Sequence, residues 1–298
     1  MSTLEPEAVQ EANPRLAPWK LLASNGLTAA SAIVLTVVVL VAILGPLLAP
    51  YGVNQIDVAH QLQPPSTVHW LGTDDLGRDT LSRMMTAVGT SLLVAAVSVA
   101  FALIIGGTAG ILAGYNGGII DTVIMRITDV MFAFPVLLLA LAIVAIFQPG
   151  LITTIVAIGI VYTPIFARIS RASTLTVRTL DFVNVSKTLG TPTRTILTKH
   201  VLPNITGPLI VQTSLSLAFA ILSEAALSFL GLGIQPPMPS LGGMLFNAQG
   251  FIYQAWWMSV FPGIAILLIA LAFNLLGDGL RDVLDPRHRT LMEARRIR

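Results

Sequence analysis

The 298-residue chain is 54% hydrophobic and only 11% charged, with a formal net charge of +2 and a mean hydropathy of +0.81. Soluble domains carry about a quarter charged residues, so most of this surface faces something other than water, and a bilayer is the default reading. The charge is too small, and too scattered among loops and ends, for a nucleic-acid partner, and the lack of cysteine excludes thiolate catalysis, disulfides and cysteine metal sites.

Residues 1–25, with Glu5, Glu7 and Glu11, read as a polar N-terminal tail. Six apolar segments then approach the length of about 20 helical residues needed to cross hydrocarbon: 26–50, 87–115, 130–148, 151–167, 207–230 and 255–276. The pattern predicts an all-α polytopic membrane protein with six transmembrane helices. The first run is too long for a signal-peptide core and is expected to be retained. Gln148, Pro149 and Gly150 predict a tight turn, and Pro135, Pro164 and Pro262 predict kinks within helices. Gly106, Gly110 and Gly114 share one helix face, which allows close packing within the bundle or against another subunit. Tyr253, Trp256 and Trp257 read as an interfacial aromatic belt.

Basic residues set the expected orientation. With the N-terminus cytoplasmic, Arg15, Lys20, Arg126, Arg168, Arg171, Arg178, Lys187, Arg194, Lys199 and the six arginines from Arg281 onward lie inside. Only Arg78 and Arg83 then lie outside, so the positive-inside rule puts both termini in the cytoplasm. The expected organisation is a tail over 1–25, the first span with an outer segment over 26–86, a five-helix core over 87–290 carrying a cytoplasmic loop at 168–206, and a basic tail over 291–298.

That loop is basic yet patterned. Asp181 is placed to cap a short helix over 182–189, in which Phe182, Val185 and Leu189 recur at helical spacing beside Val183. Gly190 follows as a C-terminal cap, and Thr191 and Pro192 read as the N-cap and first residue of a second short helix reaching Leu202, Pro203 and Asn204. Such a knob suits docking to a partner or packing on its own bundle, and spacing alone leaves both readings open.

The stretch Phe182-Val183-Asn184-Val185-Ser186-Lys187-Thr188-Leu189-Gly190, with Pro203 thirteen residues after the glycine, resembles the EAA loop of bacterial ABC importer permeases. Asn184, Val185 and Ser186 stand where Glu-Ala-Ala is expected. The segment from His69 to Asp79, including Gly72, Thr73, Asp74, Gly77, Arg78 and Asp79, resembles the outer segment of the C-type subunit of dipeptide, oligopeptide and nickel permeases. Leu227-Ser228-Phe229-Leu230-Gly231-Leu232-Gly233 and Gly277-Asp278-Gly279-Leu280-Arg281-Asp282, followed by Leu284-Asp285-Pro286, are similar to later parts of the same subunit.

The resemblance implies a type I ABC importer permease fold in the bacterial inner membrane and half of a translocation pathway for peptides. It also implies that the EAA-like loop couples to the ATPases through Phe182, Val183, Asn184, Val185, Ser186, Leu189, Gly190, Thr191 and Pro203. The implied partners are a second homologous permease subunit, two ATPase subunits, an extracytoplasmic binding protein and the lipid bilayer. The chain lacks the phosphate-cradling pattern G-x-x-x-x-G-K-[ST], so ATP and magnesium belong to the partners, and this subunit is expected to be non-catalytic and to hold no cofactor or metal.

Glu224 lies 21 residues beyond Pro203, about 31 Å along a helix. That places it near the outer interface as a candidate pathway or outer-gate residue, or as a paired or solvated carboxylate. Asp129 is expected to pair with Arg126. Asp74, Asp75 and Asp79 fail the calcium-loop pattern, because Gly77 occupies its third position and no glutamate closes it; Arg78 and Arg83 are the expected partners. The competing reading is an ion-gradient-driven carrier or channel acting without ATPases, which would want mid-membrane titratable groups that this sequence lacks.

Overall fold

The computed structural model describes residues 26–284. The tail over 1–25 and the basic tail over 291–298 lie outside the described residues, as do Asp285 and Pro286. Nine helices of eight or more residues carry the described fold: α1 (Gly26–Leu48), α2 (Thr80–Asn116), α3 (Gly118–Phe132), α4 (Val136–Phe147), α5 (Leu151–Val177), α6 (Asp181–Thr188), α7 (Leu202–Phe229), α8 (Leu241–Ala248) and α9 (Trp257–Leu284). Among the described residues the one strand-like pairing is an isolated bridge between Thr73 and Asp79.

Among the described residues five helices are long and apolar enough to cross a membrane, and six if the bent pair of α3 and α4 counts as one span. Five of the expected spans are continuous helices, and the third differs from the continuous segment expected over 130–148. It bends by 90°, because Pro135 caps α4 instead of lying within it. Proline lacks the N–H that would continue the preceding helix. Pro164 and Pro262 do lie inside helices, as expected. The second helix begins at Thr80, ahead of the apolar run at 87–115, and its 37 residues reach about 55 Å, longer than hydrocarbon is thick.

The tightest seam joins α2 and α5, which run parallel. A Cβ at Gly106 would land on the Thr163 carbonyl and one at Gly110 on the Ala167 carbonyl. At Gly114 it would lie 2.8 Å from the Arg171 carbonyl. The glycine stripe thus lets two backbones meet within one chain, where small residues supply the contact that hydrophobicity cannot supply in lipid. Helix α1 rides on both α2 and α9. Gly45 faces Met85, and Gly279 faces Thr28 so closely that a Cβ would overlap its side chain. Both ends of the described chain therefore lie at the same end of the bundle as the 168–206 loop. Residues 49–79 and 230–256 form the opposite end.

Candidate functional site

At the loop end, α6 is closed by a Schellman motif. Gly190 has φ +72°, its N–H reaches the Lys187 carbonyl at 3.0 Å, and the Thr191 N–H reaches the Ser186 carbonyl at 3.1 Å. Gly190 is therefore the cap expected of it. Asp181 is not: it is the first helical residue, and the cap position, Leu180, makes no side-chain hydrogen bond. An acid in the first turn still suits the helix dipole.

The expected second short helix does not form as a separate element. Pro192, not Thr191, occupies its cap, and the helical turn Thr193–Thr195 passes through a wide i→i+5 turn, Ile196–Val201, straight into α7. The extra residue in that turn is taken up just before Pro203, which has no N–H to offer the carbonyl four residues back. The element is thus one two-turn helix, a glycine turn and a 37-residue rod, Thr193–Phe229. Val183 is fully buried, while Phe182, Val185 and Leu189 are 42%, 56% and 78% exposed. Phe182 leans on His200, their rings 6.1 Å apart. Ser186, Gly190 and Thr191 join the capped turn, whereas Asn184 sits at the other end of α6, its Nδ2 donating to the Thr179 carbonyl at 3.3 Å. Pro203 stands apart on the rod, about 15 Å along the axis from Thr193.

The base of this element is fastened to the bundle. Arg178 Nη1 donates to the Gly114 and Tyr115 carbonyls at 2.8 and 3.2 Å, where the end of α2 leaves carbonyls unmatched. Lys187 Nζ lies 4.9 Å above the Tyr115 ring. Arg171 makes a two-pronged pair with Asp121 of α3. Asp129 pairs with Arg168 at 2.7 Å, not with its neighbour Arg126, because Arg168 is drawn over the Phe132 ring, 4.0 Å away.

At the opposite end, the Gly-Thr-Asp segment forms a buckle. Asp74 Oδ1 accepts from the Leu76 and Arg78 N–H groups at 2.9 Å each, and Oδ2 accepts from Arg78 Nε at 2.7 Å. Gly77 has φ +73°, and a Cβ there would occupy the Asp57 carbonyl. Asp79 caps α2 through Ser82 N at 2.8 Å and meets His69 Nδ1 at 3.0 Å. Arg83 lies 3.5 Å from Asp74 and spends its Nη1 on Val53 and Asn54 at 3.3 Å. Thr73 Oγ1 donates to the His60 carbonyl at 2.6 Å, and the Thr73 carbonyl accepts from Trp257 Nε1 at 3.0 Å. Trp257 is consequently buried, unlike its exposed neighbours Trp256 and Tyr253. The belt expectation fails for Trp257 because its N–H has an internal partner.

Glu224 is fully buried, so the solvated reading is excluded. Ser228 Oγ donates to its Oε1 at 2.7 Å, and Ser91 and Ser240 face the same carboxyl. None of these three serines stands out in the sequence. The available signal is Ser240, a cap residue between Pro239 and the apolar start of α8, where it accepts from the Gly243 N–H at 3.1 Å. Among the described residues no group of three or more His, Asp or Glu side chains is placed to hold a metal ion.

The chain has known relatives. Residues 106–290 match the model of the binding-protein-dependent transport system inner membrane component, and residues 15–65 match the N-terminal TM domain of oligopeptide transport permease C. The chain is 45% identical to the dipeptide transport system permease protein DppC of Alkalihalophilus pseudofirmus, over 91% of each chain. It is 41% identical, over 96% of each, to the probable D,D-dipeptide transport system permease protein DdpC of Escherichia coli. It is 42% identical, over 90% of each, to the glutathione transport system permease protein GsiD of Pectobacterium atrosepticum. In fold it is similar to a chain of the MetNI methionine ABC transporter in an inward-facing conformation, with a TM-score of 0.57 and 19% identity over 68% of this chain and 96% of that one. The chain belongs to the family of binding-protein-dependent transport system inner membrane components.

Proposed function

We propose that this chain forms half of the pathway of an ATP-driven importer for di- or oligopeptides, and that α6 is the handle by which a separate ATPase moves it. The observation that carries this reading is the outward apolar stripe of Phe182, Val185 and Leu189 on a helix pinned from beneath by Val183. An isolated two-turn helix is marginal in water, and an apolar stripe on a basic loop suits a groove in another protein. Peptides are the proposed cargo because relatives that match over 90% or more of the chain are named for dipeptides, D,D-dipeptides and glutathione.

The complex would hold a second homologous permease subunit, two ATPase subunits that bind ATP and magnesium, and an extracytoplasmic binding protein. Both termini and α6 would be cytoplasmic, as the distribution of lysine and arginine favours. Closure of the ATPases would then shift α6, and the Thr193–Phe229 rod would carry that shift directly into the membrane. The test is to purify the complex with Val185→Glu and Leu189→Glu together. The co-purifying ATPase should fall about tenfold or more, since two buried apolar contacts become charged. Undiminished ATPase at unchanged permease yield would refute the docking role.

A further inference from the structure

A carboxyl buried inside a membrane helix is unfavourable unless its oxygens are matched, and the serines around Glu224 lead to α8 and to the loop before it. Ser228 Oγ, which donates to Glu224 Oε1, accepts from the Ile234 N–H at 3.2 Å and so holds the start of the 230–240 loop. Ser91 of α2 faces the carboxyl while accepting from the Leu241 N–H at 3.3 Å, the first residue of α8. Ser240 faces it while capping α8. The positive end of that helix thus points toward the acid. Glu224 Oε2 makes no hydrogen bond of ordinary geometry, so the carboxyl is held from one side and faces the α8 start with the other. Gly242 lies so close over α7 that a Cβ would overlap the carbonyl of Ala225, the residue after Glu224.

Helix α8 has two faces. Leu241, Met244 and Ala248 are buried against the bundle. Gly243, Phe246 and Asn247 line a cavity of about 240 Å³ that Arg78 and Gln235 also bound. Ser228 and Ser240 belong to both the cavity wall and the Glu224 cluster. The cluster therefore lies directly behind this wall, and lifting α8 would join the cavity to the interior of the bundle.

We propose that Glu224 is a positioning residue that latches α8 as a gate at the end of the pathway opposite α6. Ser228 ties the latch to α7 and Ser91 ties it to α2, so separation of those two helices releases it. The inference rests on the transporter reading, but its test does not need transport. The chain has no cysteine, so Asn247→Cys gives a unique thiol on the cavity face and Thr198→Cys a control thiol on the opposite end. Open membrane sheets holding the full complex are treated with a maleimide-linked polymer, and the mobility shift of this chain is followed in time.

Glu224→Ala should speed labelling at position 247 about tenfold, the effect of removing one buried hydrogen-bonded carboxyl from a closed state, and leave position 198 unchanged. Ser228→Ala, a smaller change, should act in the same direction, and it decides the matter if Glu224→Ala fails to assemble. Labelling at 247 within about twofold of the parent in every variant that assembles, or equal acceleration at both thiols, overturns the latch. In the first case, intact ATP-driven uptake would leave the transporter reading standing.

Discussion

Trp257 Nε1 donates to the Thr73 carbonyl at 3.0 Å across 184 residues of sequence. That bond clasps the Gly-Thr-Asp buckle to the start of α9, while Asp79 in the same buckle caps α2. Gly72, at φ +74°, leaves the room this needs: a Cβ there would lie 2.6 Å from both the Gln63 carbonyl and the indole nitrogen. The Gly-Thr-Asp segment is thus a clasp between spans.

Trp257→Phe keeps an aromatic ring but strands the buried Thr73 carbonyl. The purified protein should lose about 1–3 kcal/mol, read as a lower melting temperature. An unchanged melting temperature would mean the bond contributes nothing to the clasp.

The α2–α5 seam gives a paired prediction. Gly110→Leu places carbon on the Ala167 carbonyl and should cost about 3 kcal/mol or more by forcing the helices apart. Gly107 lies next to the stripe but off its face. An added Cβ there meets only Ser170 Oγ at 3.7 Å and Leu103 Cδ1 at 3.8 Å, so Gly107→Ala should be tolerated. Folded yield in mild detergent distinguishes them, and equal yields would contradict the seam.

Gly190 has open space around it within this chain: an added Cβ would meet nothing within 4 Å, so comparing two side chains there isolates backbone conformation. Gly190→Val must hold φ near +72° at a cost of about 1–2 kcal/mol, whereas Gly190→Asn tolerates that region. Uptake and substrate-stimulated ATP hydrolysis should drop for valine and largely persist for asparagine, with membrane insertion normal for both. Normal coupling in the valine variant would show that the turn does not transmit motion.

Acid should loosen the buckle in a definite direction. The hydrogen bond with His60, 2.8 Å away, holds the Asp57 carboxyl below its ordinary value of 3.8. A carboxyl depressed by folding stabilises above its unfolded value, and that contribution is lost as pH falls through the lower folded value. Protection of this segment from proteolysis should therefore decline below about pH 3.8 less steeply in Asp57→Asn than in the parent, by a small margin because the pair is exposed. Identical pH profiles would show that the pair does not hold the buckle.

Much of this architecture is legible in the sequence. The number of spans follows from long apolar runs, and the Gly190 cap follows from a glycine directly after a periodic segment. The Gly106, Gly110 and Gly114 stripe announces a close contact without naming its partner, since α5 is far along the chain and no local pattern encodes that pairing. A straight third span does not form, because hydropathy is blind to the direction change that Pro135 imposes. A separate second loop helix does not form either: Thr191 and Pro192 carry a start signal, but no stop signal lies between them and α7. The surroundings of Glu224 are hidden for a related reason. Ser91, Ser228 and Ser240 come from three elements, and serine is common enough in membrane helices to pass unnoticed.

If α6 rests in a groove of a motor protein, its exposed end lies within crosslinking reach of that motor. Leu189→Cys in this cysteine-free chain, treated with a short thiol-to-amine crosslinker in inside-out vesicles that retain the whole complex, examines this without any intermediate step. One adduct should form, with a mass equal to the sum of this chain and an ATPase subunit. An intact complex that yields no such adduct, or labelling of Lys187 by an impermeant reagent added to the outer side of whole cells, would show that α6 is not the handle.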